Sequence, residues 1–109
     1  MDLDVKNMIK NQLIKRNIAD KNVLEAMKKV PRHLFLSKIQ RPFAYGDNPL
    51  PIGHEQTISQ PYIVAFMTEV LDVQPHHIIL EIGTGCGYQT AILSILAKKV
   101  ISLELIKNL

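Results

Sequence analysis

The most informative pattern in the chain is an unbroken apolar run that leads through an acid into alternating glycines. The run occupies residues 78–82, and Gly83, Gly85 and Gly87 follow it directly. A continuous run rich in β-branched residues predicts a strand that is buried on both faces. Residues 89–97 have the length and apolar content of a packed helix. Strand, glycine turn and helix in this order predict the ligand-cradling unit of a doubly wound α/β fold.

Apolar residues recur at helical spacing in three other segments, residues 4–16, 21–30 and 61–71. Asp20 is suited to cap the second of these helices, and Pro31 is suited to end it. A second apolar strand is predicted at residues 100–103. The two short helices before the sheet predict either an N-terminal cap over a site or a cover for one edge of the sheet. The pattern alone does not separate these two arrangements.

Residues 31–61 show little periodicity. Prolines, glycines, Asp47 and Asn48 punctuate the segment, and each favours turns for its own backbone reason. Its many apolar residues argue against disorder. A long irregular stretch inside a compact domain is usually functional. We therefore expect an ordered loop that packs against the domain and helps to line a site.

Composition and charge narrow the function classes. A chain of 109 residues is one domain or part of one, and its formal charge is only +3. The basic residues are dispersed among acids, which is typical of solvated helix faces and argues against a nucleic-acid partner. No apolar run reaches membrane-spanning length, so no membrane partner is expected. The single cysteine allows no internal disulfide, which favours the cytoplasm. The four histidines lack metal-ligand spacing, so no metal site is predicted.

The spacing of the glycines excludes a dinucleotide site. Such a site needs G-x-G-x-x-G, and Gly87 comes one residue too early for that pattern. An acid, Glu81, stands two residues before Gly83. The resulting form, E-x-G-x-G-x-G, resembles the first motif of the class I S-adenosylmethionine-dependent methyltransferases, whose fold is α/β and Rossmann-like. A second acid, Glu104, follows the next strand, and strand-end acids roughly 20 residues past the glycines bind ribose hydroxyls.

A more specific resemblance covers nearly the whole chain, from the first helices to about Glu104. Four segments carry it: Val30-Pro31-Arg32-His33 with Phe35; Ala44-Tyr45 with Asp47; Pro49-Leu50-Pro51-Ile52-Gly53; and Gln56-Thr57-Ile58-Ser59-Gln60-Pro61-Tyr62. Together with the glycine motif they resemble the protein-L-isoaspartate O-methyltransferases. That family transfers a methyl group from S-adenosylmethionine to the side carboxylate of L-isoaspartyl residues in damaged proteins and peptides. The resemblance thus implies a protein-repair enzyme with isoaspartyl proteins and peptides as partners.

The resemblance also implies the site residues. Ser59 would be the active-site serine, within a segment that borders both substrate and cofactor. Glu81 would shape the turn, and Glu104 would bind the ribose. The implied cofactor-binding residues are Gln56, Thr57, Ile58, Glu81, Gly83, Thr84, Gly85, Gly87 and Glu104. A serine hydroxyl can direct a carboxylate that is already ionised near neutral pH, so no activating base is required.

Alternatives remain open at this level. Ser59, just before Pro61, is also a reasonable helix cap. The cofactor motif alone fits other S-adenosylmethionine-dependent methyltransferases. The chain stops shortly after its second predicted strand, whereas enzymes of the family run further. The interpretation is therefore a truncated fold, with a helical cap and substrate-side loop at residues 1–60 and the start of the cofactor domain at 61–109. Such a fragment could need a complementary chain, or could self-associate through its open sheet edges.

Overall fold

The computed structural model of the protein describes residues 2–107 and residue 109. The chain begins with one helical stretch whose geometry changes twice. The α-helix α1 (Asp2–Asn7) continues into a π-helical segment (Met8–Leu13) and then a 3-10 turn (Ile14–Arg16). The stretch ends at Asn17, whose φ of 70° is the left-handed conformation that commonly terminates helices. The helix predicted at residues 4–16 is confirmed, although the part after Asn7 is not α-helical.

The second helix, α2 (Lys21–Lys29), begins and ends where the sequence predicts. The Asp20 carboxylate accepts hydrogen bonds from the N–H groups of Asn22 and Val23, at 2.9 and 3.3 Å. These bonds satisfy donors that have no partner within the helix. The helix stops before Pro31, which disfavours helical backbone in the residue ahead of it. Both the cap and the stop are therefore confirmed.

The segment after α2 contains two 3-10 turns and a small hairpin. The turns span Arg32–Phe35 and Arg41–Phe43, and β1 (Leu50–Gly53) pairs antiparallel with β2 (Gln56–Ile58). The expectation of a loop without regular structure is therefore wrong at this hairpin. Its strands have only four and three residues, too few for a period of two to stand out. The connection uses left-handed backbone at Gly53 and at the two non-glycine residues after it, which no turn motif announces.

The rest of the chain forms the predicted α/β unit. Its elements are α3 (Pro61–Leu71), β3 (Ile78–Ile82), α4 (Tyr88–Leu96) and β4 (Lys99–Leu103). Their bounds agree with the predicted ones to within one residue. The strands pair in parallel, and α4 is the crossover between them. Long apolar segments with clear stop signals are the most predictable kind of element, because packing and local propensity agree there.

The sheet of β3 and β4 is covered on one face. Ile78 lies opposite Lys99, Ile82 lies opposite Leu103, and α4 packs against β4. On the other face the side chains of Ile78, Leu80 and Ile82 are 64%, 61% and 74% exposed. The prediction of burial on both faces is therefore wrong for this chain, because no element among the described residues covers the second face. The edge of β3 away from β4 is likewise unpaired in the described part of the chain.

One buried cluster holds the elements together. Both sides of residue 60 contribute to it, and its largest apolar members include Met8, Leu13, Val23, Met27, Val64, Tyr88 and Ile92. The α2 helix packs against α3 and α4. The Glu69 carboxylate in α3 also accepts hydrogen bonds from the N–H groups of Ala19 and Asp20, at 2.8 Å each. The division into two units at residue 60 stays a prediction. None of the helices in the described residues is long and apolar enough to cross a membrane.

Candidate active site

A cleft of about 450 Å³ lies between the end of β2, helix α3, and the edge of β3 with the turn after it. Binding pockets for small molecules have volumes in this range. We call it the glycine-turn cleft. Its lining residues are Thr57, Ile58, Ser59, Val64, Met67, Thr68, Leu71, Ile79, Leu80, Glu81, Ile82, Gly83, Thr84, Gly85, Cys86, Tyr88, Gln89 and Leu93.

The cleft brings together most of the site residues implied by the sequence. Those that line it are Thr57, Ile58, Ser59, Glu81, Gly83, Thr84 and Gly85. Gln56 lies outside it, exposed on β2, and pairs with Gly53 across the hairpin. Gly87, the last residue of the turn, is the N-cap of α4 and does not line the cleft. Glu104 is not part of the lining, but its carboxylate contacts the turn directly. Two segments that are distant in sequence thus form two walls of one cleft.

The glycines have the backbone conformation that the turn requires. The φ angles of Gly83, Gly85 and Gly87 are 91°, 58° and 90°, all in the left-handed region that L-residues with a Cβ rarely adopt. The N–H groups of Gly83 and Thr84 donate to the Leu103 carbonyl, at 2.7 and 3.1 Å. The Gly87 N–H donates to the Thr84 carbonyl at 3.0 Å. The turn is therefore anchored both to the end of β4 and to itself.

Lack of space inside the protein is not the reason for glycine here. A Cβ placed on Gly83 would meet no heavy atom within 4 Å, and one on Gly85 would lie 3.4 Å from Ile52 Cδ1. Both positions therefore have room for a methyl group. The requirement comes from the left-handed backbone, and from any ligand that approaches on the open side of the turn.

The Glu104 carboxylate bridges the end of β4 and the turn. Its Oε1 accepts from the Gly85 N–H at 2.7 Å, and its Oε2 accepts from the Ile106 N–H at 2.9 Å. The Ile106 and Gly85 N–H groups hold the pKa of this carboxyl below its usual range, because they stabilise the ionised form. Each oxygen keeps a further lone pair for a ligand hydroxyl. The ribose role of Glu104 stays a prediction.

Glu81 holds the covered side of the turn. Its Oε1 accepts hydrogen bonds from the hydroxyls of Ser102, at 2.6 Å, and Thr90. The Ser102 hydroxyl also lies 2.5 Å from the hydroxyl of Thr84. One carboxylate thus connects β3, α4, β4 and the turn. That Glu81 shapes the turn stays a prediction. Thr90 and Ser102 had no role in the sequence prediction, because short hydroxyl side chains carry no periodic signal.

Ser59 lies between β2 and α3 with its side chain exposed at the wall of the cleft. The alternative that Ser59 caps α3 is wrong. The N-cap position belongs to Gln60, whose side chain makes no capping hydrogen bond. Pro61 at the first helical position starts the helix, since its missing N–H costs nothing there. The Ser59 hydroxyl is therefore not engaged as a cap.

The cleft wall before α3 is braced from outside by Asp47. Its Oδ1 accepts from Arg16 Nη1 at 2.7 Å and from Gln60 Nε2 at 3.2 Å, while a second Arg16 nitrogen donates to Oδ2. The Arg16 hydrogen bonds hold the pKa of Asp47 below its usual range. The Arg16 guanidinium also lies 5.3 Å from the ring centroid of Tyr62. Arg16 and Asp47 are both exposed, so this brace contributes little to stability.

Sequence reasoning gave no role to Arg32, the largest of the fully buried side chains. Its Nη2 donates to the Ser59 carbonyl at 2.8 Å, and its guanidinium lies 4.9 Å from the ring centroid of Tyr88. Burial raises the pKa of Tyr88 to about 12. The only sequence signal was the presence of Arg32 in the segment that carries the family resemblance.

Other reactive groups do not form a second centre in the described residues. Among these residues no group of three His, Cys, Asp or Glu side chains could hold a metal ion. Cys86 is half-buried in the turn and lines the cleft. The site therefore consists of a glycine turn, carboxylates bonded to backbone or hydroxyl groups, and one exposed serine hydroxyl.

Comparison with known proteins assigns the chain to a family. A family model described as protein-L-isoaspartate(D-aspartate) O-methyltransferase (PCMT) matches residues 3–109. The chain is 64% identical over 97 residues to the protein-L-isoaspartate O-methyltransferase of Synechococcus sp., covering 89% of this chain and 40% of that protein. It is 58% identical over 102 residues to protein-L-isoaspartate O-methyltransferase 1 of Syntrophobacter fumaroxidans, covering 94% of this chain and 48% of that protein. The chain thus spans about half the length of these curated relatives, or less.

Solved structures give the same result. A protein-L-isoaspartate O-methyltransferase matches with a TM-score of 0.80 and 29% identity, covering 94% of this chain and 34% of that one. A Plasmodium falciparum protein assigned to the same family, in complex with S-adenosyl-L-homocysteine, matches with a TM-score of 0.76 and 30% identity. That match covers 95% of this chain and 50% of the other. The chain therefore belongs to the protein-L-isoaspartate(D-aspartate) O-methyltransferase family, and its α/β unit is part of the class I methyltransferase fold.

Proposed function

We propose that this chain supplies two walls of the active site of an enzyme that methylates L-isoaspartyl residues. The observation that carries the proposal is the glycine-turn cleft, in which Ser59 and the turn at residues 83–87 line the same space. Membership of the family agrees with this function. The proposed reaction joins the methyl group of S-adenosylmethionine to the free carboxylate of an isoaspartyl residue.

The turn suits the methionine end of S-adenosylmethionine. Three left-handed glycines leave the open side of the turn without a Cβ, so a ligand can lie against the backbone. The Plasmodium falciparum neighbour was solved with S-adenosyl-L-homocysteine, the demethylated product. When bound, the cofactor supplies a methyl group on a sulfonium, whose sulfur leaves as a neutral thioether. We assign Gly83, Thr84 and Gly85 to its amino-acid end and Glu104 to its ribose.

The Ser59 hydroxyl has the position and chemistry to direct the acceptor. An isoaspartyl carboxylate is ionised near neutral pH, so it needs alignment and no proton removal. A hydroxyl donor on the cleft wall can hold one carboxylate oxygen and leave the other to attack. Apolar side chains such as Ile58, Met67 and Leu71 line the same cleft and would limit water there. Thr57 and Ile58, which line the cleft, would border both ligands, whereas Gln56 lies outside it.

The partners of the chain follow from the same proposal. Isoaspartyl proteins and peptides are the proposed substrates. The cytoplasm is the proposed compartment because the single cysteine allows no internal disulfide. Ile78, Leu80 and Ile82 form an exposed apolar face beside a strand edge that has no pairing partner in the described residues. Such edges and faces recruit other chains. We propose that the chain alone self-associates through them, and that a complementary half prevents this.

The test is acceptor specificity. The chain would be mixed with a polypeptide that corresponds to the part of the Synechococcus relative beyond the matched region, and S-adenosylmethionine would be supplied with two peptides. The peptides differ only in an isoaspartyl or a normal aspartyl residue. We expect a base-labile methyl ester on the isoaspartyl peptide alone. Methylation of both peptides, or of another acceptor only, would instead favour a different methyltransferase with the same cofactor turn.

A further inference from the structure

Arg32 is a buried charge without a carboxylate partner in the described residues. Its side chain is fully buried, and the only ion pair among those residues joins Arg16 and Asp47. Its Nη1 is buried with no hydrogen-bond partner in the described chain. Burial lowers the pKa of the guanidinium, although it stays protonated at any ordinary pH. A charge in this setting is costly, and an apolar side chain of similar size would often stabilise the fold equally well.

The contacts of Arg32 join three separate segments. Its Nε donates to the Ala44 carbonyl at 2.5 Å, directly after the second 3-10 turn. Its Nη2 donates to the Ser59 carbonyl at 2.8 Å, just after the hairpin. Its guanidinium lies 4.9 Å from the ring centroid of Tyr88, the first residue of α4. Tyr88 directly follows Gly87, so the third contact reaches the end of the glycine turn.

These contacts connect the two walls of the glycine-turn cleft. The Ser59 carbonyl is held inward by Arg32, while the Ser59 side chain is exposed at the cleft. Fixing the carbonyl restricts the backbone rotation at Ser59 and so restricts the direction of its Cβ. The ring of Tyr88 packs against the face of the same guanidinium. We propose that Arg32 is a positioning residue that sets the Ser59 hydroxyl relative to the glycine turn, an inference that rests on the proposed function.

The shape of the guanidinium suits this task. Its donors lie in one plane at fixed angles, and its flat face can stack on an aromatic ring. Lysine keeps the charge but has neither the fork nor the flat face. Methionine has similar reach and no donor. A displacement of about 1 Å in a reacting group can cost roughly a hundredfold in rate. Loss of the fork should therefore affect turnover more than stability.

The activity test compares Arg32→Met, Arg32→Lys and a control, Arg41→Met, in the complemented enzyme with the isoaspartyl peptide. Arg41 lies on the next 3-10 turn and also has a buried nitrogen without a partner in the described chain. We expect kcat to fall by up to roughly 100-fold in Arg32→Met, and no further than in Ser59→Ala, with KM for S-adenosylmethionine changed less than about threefold. Arg32→Lys should recover less than a tenth of the lost activity, because the planar fork stays absent. Arg41→Met should keep normal kcat.

A second measurement needs no catalysis. Carbon-13 and nitrogen-15 spectra of the 109-residue chain would report the Ser59 carbonyl and the amides of residues 57–60. We expect Arg32→Met to shift these signals and to speed amide exchange there, with the signals of α2 unchanged. Arg41→Met should leave residues 57–60 as they are. Unchanged signals at Ser59 in Arg32→Met would overturn the positioning role.

The two measurements separate the possible failures. If the unsubstituted complemented enzyme methylates no acceptor, the proposed function fails, and the spectra alone decide whether Arg32 positions Ser59. If kcat and thermal stability fall in parallel, and Arg32→Lys restores both together, Arg32 has a structural role only and the proposal is wrong. A normal kcat in folded Arg32→Met would equally overturn it.

Discussion

Replacing Gly85 by Val tests the glycine turn, since Gly85 has a φ of 58° and lines the cleft. Left-handed backbone costs an L-residue about 1–2 kcal/mol, and a β-branched side chain raises that cost. A Cβ at this position would lie 3.4 Å from Ile52 Cδ1, so a methyl group fits, but the γ-carbons of Val must point toward Ile52 or into the cleft. If the turn rotates to relieve the strain, the Gly85 N–H leaves the Glu104 carboxylate.

If the turn rotates, ligand binding must restore its left-handed conformation, at an expected cost of about 2–3 kcal/mol. This cost corresponds to a roughly 30- to 150-fold loss of affinity for a ligand that needs the turn. Calorimetry with S-adenosylhomocysteine on the complemented enzyme measures this loss. Urea unfolding of the same variant measures the strain separately. Gly85→Ala should lose less than Gly85→Val, because it adds strain without the γ-carbons.

Gly53→Val is the matched control. Gly53 also has a positive φ, 92°, and a Cβ there would meet no heavy atom within 4 Å, but it lies in the hairpin outside the cleft. It should lose stability without losing affinity for S-adenosylhomocysteine. Unchanged affinity in Gly85→Val would refute the assignment of the turn to the cofactor. An equal loss of affinity in Gly53→Val would show that general destabilisation, and not the turn, caused the effect.

Three further predictions address other parts of the site. Ser59→Ala should lower kcat on the isoaspartyl peptide roughly 10- to 100-fold and cofactor affinity much less, as measured by initial rates and calorimetry. The control is Ser94→Ala, on the exposed side of α4. Equal losses in kcat and affinity would contradict the role of Ser59 in positioning the acceptor. Because the pKa of Glu104 is lowered in the fold, its hydrogen bonds should stabilise the protein fully above the ordinary pKa of 4.5 and be lost as the pH falls through the lowered pKa. In acid titrations, the difference in unfolding free energy between wild type and Glu104→Gln should therefore shrink below about pH 4.5. A difference that persists in acid would contradict this. The chain alone should self-associate, as measured by sedimentation velocity, and Leu80→Lys should reduce the association. The control, Leu105→Lys, changes an apolar side chain that is 98% exposed and should leave the association unchanged. A monomer at all concentrations would refute self-association.

Local patterns predicted the α/β unit well. The continuous apolar run of Ile78–Ile82 ends at a glycine turn, and the segment of Tyr88–Leu96 has the length of a packed helix, so length and flanking residues identified both. Asp20 caps α2 through its own neighbours, so a local signal sufficed there as well. The glycines of the turn were recognisable because they alternate directly after an apolar strand and before a helix.

Other features depend on residues that are distant in sequence. Arg32 binds carbonyls 12 and 27 positions away, and nothing in its own segment shows which groups will face it. The second oxygen of Glu104 binds the nearby Ile106 N–H, but its bond to Gly85 depends on how β4 aligns with the turn. The exposure of Leu80 was not predicted for another reason. An apolar sequence indicates that a strand is suited to burial, but it does not show whether another element covers the strand.

The most direct test of the proposed function follows the transferred carbon. The complemented enzyme would receive S-adenosylmethionine labelled with carbon-13 in the methyl group, and the peptide product would be examined by NMR and mass spectrometry. We expect the label as a methyl ester on the free carboxylate of the isoaspartyl residue, followed by its loss as the ester closes to a succinimide. The reaction should be far slower with the chain alone. Label on a nitrogen, on another carboxylate, or on no part of the peptide would contradict the account.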